Sequence, residues 1–243
     1  MKKLILILLS GLLSLSLCAE PIEFVVSASA GGPNDTVTRK LVEALKPHTQ
    51  LQFVVSNRPG AAHTIGYSYV NNATKPVLIL STPEVAAHEV YPKLNEVYNL
   101  GYFYNNLFVS EKSGIKNFKH LADISATREI AFGHGGVGTF SHSAMQQVCT
   151  SQLKCLAVPY KSGANGMLAL LSGEIDAYAL ASYGSQQFLE NNKVVPIYKI
   201  RASKDKAWFK LFAKNLSVKE VEELANGLKA LDKQFYLDLG FEK

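Results

Sequence analysis

The chain has 243 residues, 47% of them hydrophobic, and a formal net charge of +5. Such a length allows one or two domains and a sizeable core. The charge is too mild to argue for nucleic acid.

Residues 1–19 stand apart. Lys2-Lys3 give a basic start, Leu4 to Leu17 an apolar run, and Cys18-Ala19 a small-residue end. The pattern reads as a secretory signal peptide, too short for an ordinary spanning helix. Cleavage after Ala19 is the simpler reading. In a second reading Cys18 is a lipid anchor, because Leu15-Ser16-Leu17-Cys18 resembles a lipobox. Either way the protein is expected in the periplasm.

Phe24-Val25-Val26 is a short β-branched apolar run, predicted as a buried strand. Gly31-Gly32 follow as a tight turn, and Pro33 suits a first helical position because its missing N–H would be unpaired there anyway. Val37, Leu41, Val42 and Leu45 then share one helical face. A helix start of this kind presents free N–H groups and a partial positive charge, a seat for an anion. The same strand–turn–helix grammar recurs. Leu51 to Val55 is a strand leading through Asn57-Arg58-Pro59-Gly60 into a helix reaching Asn72. Val77 to Leu80 is a strand, followed by Ser81-Thr82-Pro83 and a helix to about His88.

Tyr91 to Asn106 has weak periodicity, and Leu107 to Ser110 reads as a strand crossing into a second lobe. Lys116 to Ile124 is predicted helical and Glu129 to Phe132 a strand. Gly133-His134-Gly135-Gly136-Val137-Gly138 then opens a helix reaching Cys149. Leu156 to Tyr160 is a strand, Gly163 to Ser172 a helix, Ile175 to Leu180 a strand and Tyr183 to Leu189 a short helix. Val194 to Ile200 is a strand that could cross back. Ser217 to Gln234 is an amphipathic helix opened by a capping-box pattern. Alternating strands and helices predict an α/β fold with mostly parallel sheets. Lobe 1 is expected to comprise 20–106 plus 201–243, and lobe 2 to comprise 107–200, with ligand at the carboxyl ends of the strands.

Cys149 and Cys155 are most simply a disulfide in an exported chain. The alternative is two buried free thiols. No His, Asp or Glu lies between them to complete a metal site.

Several stretches, in order, carry a family resemblance: Ala30-Gly31-Gly32-Pro33-Asn34-Asp35 with Arg39, Asn57-Arg58-Pro59-Gly60-Ala61 with Gly66, the run Gly133 to Gly138 with Ser141-His142, Val158-Pro159-Tyr160-Lys161, Gly173-Glu174-Ile175-Asp176, and Leu239-Gly240-Phe241. Together they resemble the substrate-binding proteins of tripartite tricarboxylate transporters, the Bug (TctC) family. The resemblance implies a two-lobed periplasmic binding protein, type II-like, with a cleft between lobes. It would capture a di- or tricarboxylate or a related organic anion and deliver it to membrane transporter subunits. A sensory protein presenting a metabolite to a histidine-kinase ectodomain is the alternative. The resemblance implies no catalysis and no cofactor, and a monomer is expected. No G-x-S-x-G elbow, H-E-x-x-H spacing or complete P-loop argues otherwise.

The expected ligand-binding set is Ala30, Gly31, Gly32, Pro33, Asn34, His63, Thr64, Ser81, Thr82, Gly136, Gly138, Thr139, Ser141, Tyr160 and Ser182. Main-chain amides and hydroxyls would do the holding. Asp35 and Arg39, four apart on a helix, read as a structural pair. Arg58 reads as a loop brace, and His142 as a packed histidine. Lys161 reads as a solvated or salt-bridged cation. His63 departs from the glycines usual at that place in the family. Its imidazole either donates to the ligand or sits at the lip.

Overall fold

The computed structural model describes residues 20–82, 94–189, 193–201 and 207–242. The expected signal peptide at 1–19 and the expected helix after Pro83 lie outside these residues.

Two five-stranded sheets form the frame. The first has the order β2-β1-β3-β10-β4, built from β1 (Ile22–Val26), β2 (Phe53–Asn57), β3 (Val77–Ser81), β4 (Asn95–Tyr102) and β10 (Trp208–Lys214). The second has the order β7-β6-β8-β5-β9, built from β5 (Asn105–Ser110), β6 (Ile130–His134), β7 (Cys155–Pro159), β8 (Ala177–Ala181) and β9 (Val194–Ile200). Three neighbouring strands in each sheet are parallel, and one strand, β10 or β5, runs antiparallel between the third and the edge. The two sheets therefore share one plan.

The apolar runs become strands because both faces of each sheet are covered. Along β1 and β3, Phe24, Leu78 and Leu80 face one layer, with Val37, Leu41 and Leu45 of α1 (Pro33–Leu45) and Leu224 and Leu228 of α7 (Val218–Ala230). Val25 and Ile79, one residue on, face the other layer with Tyr67 and Val70 of α2 (Thr64–Asn72). This is the period of two that a pleated strand imposes. In the second sheet Phe132, Ala177 and Ala179 meet Leu121 of α3 (Phe118–Ser125) and Met145 and Val148 of α4 (Phe140–Cys149). Tyr178 and Leu180 meet Met167 and Leu170 of α5 (Gly163–Ser172) on the opposite face. A short α6 (Gln186–Leu189) precedes β9.

The chain passes from one sheet to the other at Phe103-Tyr104 and again after Ile200. β9 thus stays in the second sheet, paired with β5, and does not itself cross back. The returning segment is β10, which the sequence reading missed. Its Phe209, Leu211 and Ala213 alternate inward, while Lys210 and Lys214 weaken the apolar signal. β4 was also missed, since Asn95, Glu96 and Asn99 mask its pattern. The expected helix to Gln234 is two helices. The capping box at Ser217 forms, with Glu220 Oε2 accepting from the Ser217 amide at 2.7 Å. At Leu231 the backbone becomes extended, and Asp232 caps α8 (Lys233–Asp238) by accepting from the Phe235 amide at 2.7 Å.

Cys149, the last residue of α4, and Cys155, the first of β7, are joined by a disulfide with Cα atoms 5.6 Å apart.

A cavity at three helix tips

Ser27, Thr82, Gly135 and Tyr160 follow the carboxyl ends of β1, β3, β6 and β7. All four line one cavity of about 560 Å3. Three helices begin on its wall: α1 at Gly32-Pro33, α4 at Thr139-Phe140 and α5 at Ser162-Gly163. A helix start carries amides with no partner inside the helix and a partial positive charge. The two tips expected from sequence therefore face the same space. The third, at Ser162-Gly163, was not foreseen. Its signal was present, because Ser162 is a good N-cap and accepts from the Asn165 amide at 3.3 Å.

The first tip is shaped from within its own helix. Asp35 is buried, and its carboxylate accepts from the Gly31 amide at 2.9 Å, from Arg39 Nε at 3.0 Å and from Asn57 Nδ2 at 2.9 Å. Burial alone would raise the Asp35 pKa. The bonds from Arg39, Gly31 and Asn57 outweigh it and hold the carboxyl below its ordinary range. Arg39 is thus committed to the loop, as the spacing suggested. Arg58 braces the neighbouring loop, donating to Glu23 Oε1 at 3.1 Å with its guanidinium 3.4 Å from the Tyr69 ring centre.

The second tip is a cage of small groups. Gly136 and Gly138 have positive φ, 107° and 84°, where a side chain would be strained. The Gly135 amide donates to Ser141 Oγ at 2.9 Å, and Thr139 Oγ1 donates to the Gly136 carbonyl at 2.7 Å. The Gly136 amide donates to Nδ1 of buried His134 at 3.2 Å, and the His134 ring packs 4.9 Å from that of His142.

Of the expected ligand-binding residues, Gly32, Pro33, Asn34, His63, Thr82, Gly136, Gly138, Thr139, Ser141 and Tyr160 line the cavity. Ala30, Gly31, Thr64, Ser81 and Ser182 are not part of its wall. The polar groups of four of them are engaged elsewhere. Gly31 gives its amide to Asp35, and Thr64 Oγ1 donates to the Ala61 carbonyl at 2.6 Å. Ser81 Oγ donates to the Thr82 carbonyl at 3.2 Å, and Ser182 Oγ to the Gly240 carbonyl at 2.6 Å. Exposed Lys161 lines the cavity too. The Tyr160 hydroxyl donates to Glu174 Oε1 at 2.8 Å, and burial together with this bond pushes its pKa up to about 12. Sequence reasoning missed Ser27, Asn105, Phe140 and Tyr183, which also line the cavity.

The two halves touch at the cavity edge. Pro33 lies so close to Gly184 that a Cβ there would sit 2.0 Å from Pro33 Cβ. The Tyr183 hydroxyl donates to Asn34 Oδ1 at 3.0 Å. Tyr183 itself packs in the first core, stacked on Phe209 at 4.4 Å and on Phe241 at 5.6 Å.

Two matched α/β sheets with a cavity between their strand ends define a two-lobed binding protein of the periplasmic type. Comparison with known proteins is more specific. Residues 37–195 match the model of the tripartite tricarboxylate transporter family receptor, TctC. The chain belongs to that family of receptors. The UPF0065 protein in gbd 5'region of Cupriavidus necator is 27% identical over 184 residues, 68% of this chain and 56% of that protein. The chain thus spans a little over half the length of that relative. Among solved structures, the periplasmic binding protein BugD has 23% identity and a TM-score of 0.76, with 90% of this chain and 87% of that one covered. Rpa4515 of R. palustris, solved with adipate, has 20% identity and a TM-score of 0.80 over the same shares. MatC (Rpa3494) from Rhodopseudomonas palustris, with bound malate, has 20% identity and a TM-score of 0.72, covering 90% and 88%. At these identities the likeness is one of fold.

Proposed function

We propose that this protein is a periplasmic receptor that captures a small organic carboxylate and delivers it to a transporter of the tripartite tricarboxylate type. One observation carries the reading: three helix N-termini open onto a single cavity whose wall, among the described residues, contains no Asp or Glu. Main-chain amides of the first turns, with the hydroxyls of Ser27 and Ser141, would hold the carboxylates. Lys161 adds positive charge nearby. Closing the halves over the ligand excludes water and strengthens each of these contacts. Family membership supports the reading, as do relatives of the same fold solved with adipate and with malate. The export signal expected at residues 1–19 agrees with a periplasmic site of action.

The lobes would be the two sheets with their helices. The hinge would lie at Phe103-Tyr104 and at Ser182–Gly184. Titration calorimetry of the purified protein against linear dicarboxylates, hydroxy acids and tricarboxylates tests the proposal. Saturable one-to-one binding of at least one acid is expected. Failure of every acid to bind at millimolar concentration would refute it.

A further inference from the structure

Residues 239–242 lie along the seam between the two halves. Leu239 and Phe241 are buried in the first core. Gly240 between them has φ 91°, and a Cβ there would sit 2.3 Å from the Ser182 carbonyl oxygen. Only glycine lets the chain pass so close. Ser182 Oγ donates to the Gly240 carbonyl at 2.6 Å, and the Ser182 amide donates to the Tyr104 carbonyl at 2.7 Å. Glu242 and Tyr102 exchange both backbone hydrogen bonds, each 2.7 Å long. This short stretch therefore braces Ser182 and the strand end that leads into the Phe103-Tyr104 crossing.

The Glu242 side chain reaches the other half. Its backbone is fixed to β4 of the first sheet, yet Oε1 accepts from Lys199 Nζ at 2.7 Å and Oε2 from Arg201 Nη1 at 3.1 Å. Lys199 belongs to β9 of the second sheet, and Arg201 directly follows that strand. Lys199 Nζ also stands 3.4 Å from the centre of the Tyr104 ring, on the crossing itself. The bond from Lys199, with Arg201 beside it, holds the Glu242 carboxyl below its ordinary range against partial burial. The carboxylate is therefore charged at neutral pH. Among the described residues, every other ion pair joins groups of the same half. Neither Glu242 nor its two cations line the cavity.

We propose that Glu242 is a positioning residue for ligand capture: paired with Lys199 and Arg201, it holds the two halves at the separation that turns the three helix tips onto one cavity. The inference rests on the receptor reading and adds to it a device remote from the ligand. Without the pairs, other arrangements of the halves become populated. The binding-competent fraction falls, and the apparent dissociation constant rises by the same factor. Half-exposed pairs are individually weak, so the effect is modest.

Spin labels on Lys40→Cys of α1 and Lys119→Cys of α3, exposed sites one in each half, report the separation without any ligand. Glu242→Gln should broaden the distance distribution. Salt at 1 M should broaden that of wild type in the same way, because the screening length falls to about 3 Å. Exchanging the charges, Lys199→Glu with Glu242→Lys, should narrow it again. Calorimetry with an acid that wild type binds should show Glu242→Gln weaker by about two- to fivefold, a ratio that shrinks towards one at 1 M salt. Its melting temperature should stay within about 3 °C of wild type. A distance distribution unchanged in Glu242→Gln overturns the inference and leaves the carboxylate reading standing. A broader distribution with unchanged affinity overturns the role in capture. If wild type binds no acid, the carboxylate reading falls, and the label distances alone still decide whether Glu242 holds the halves.

Discussion

The Gly31 amide donates to Asp35 Oδ2 across 2.9 Å, so a residue inside α1 shapes the loop that leads into it. The same carboxylate holds Arg39 and Asn57, tying loop, helix and β2 together. Asp35→Ala should therefore cost about 2–3 kcal/mol, because it leaves the Gly31 and Asn57 donors without their partner. Urea unfolding measures this. Calorimetry should show weaker ligand binding in the folded variant, since the first helix tip loses its shape.

Acid should unfold the protein through two aspartates. Burial would raise the Asp176 pKa, but the bonds from Arg128, at 2.6 and 2.7 Å, and from the Ala131 amide at 2.9 Å bring it below its ordinary range. Asp35 is lowered in the same way. A carboxyl that is more acidic in the folded chain binds protons less readily there than in the unfolded chain. Its stabilising effect is full above the ordinary aspartate pKa, about 3.9, and is lost as pH falls through the folded-state value. Unfolding free energy measured between pH 7 and pH 2 should decline most steeply below about 4. Asp176→Asn should flatten that decline.

His134 should add a separate step at higher pH. Burial first, and then the neighbouring His142, lower its pKa below the ordinary histidine value of 6.5. A lowered folded-state pKa again means stability that is full above 6.5 and lost as pH falls through the folded value. Protonating Nδ1 would also break the bond from the Gly136 amide. The melting temperature of unliganded protein should fall between pH 7 and pH 5, and His134→Gln should lessen that fall.

Gly184→Ala is expected to weaken ligand binding more than it weakens the fold. The added methyl would meet Pro33 Cβ at 2.0 Å, pushing Ser182–Gly184 away from the start of α1. That contact joins the two halves at the cavity edge. Small-angle scattering with saturating ligand should show a more open molecule than wild type, and the ligand dissociation rate should rise.

Reduction of the Cys149–Cys155 bridge should cost about 2 kcal/mol, as expected for so short a loop. The thermal midpoint should drop on adding reductant. The double variant Cys149→Ser, Cys155→Ser should show the lower midpoint with and without it.

The elements best read from sequence are those whose signal is local. α5 runs over Gly163–Ser172 as expected, because Ser162 caps it and Gly173 ends it at φ 83°. β3 and β8 are covered on both faces, so Val77 to Leu80 and Ala177 to Ala181 are continuous apolar runs. β10 and β4 were hidden. They pair with each other at the outer side of the first sheet, where lysine, asparagine and glutamate are tolerated. Their partners are about 110 residues apart in the chain, as in Lys210 against Asn99, and no local pattern encodes such a pairing.

The sequence by itself determined the alternation of strands and helices, the glycine turns at helix starts, the cysteine pair and the family. Each of these depends on neighbours within a few residues or on an ordered set of short motifs. Only the tertiary structure decided which polar groups reach the cavity. Ser81 ends β3 and Ser182 follows β8 as Thr82 follows β3, yet the hydroxyls of Ser81 and Ser182 turn to backbone carbonyls, while Asn105, unremarkable in sequence, is brought to the wall by β8 and β9 on either side. A side chain's partner depends on what the packed sheets bring beside it, and that information lies in residues far away along the chain.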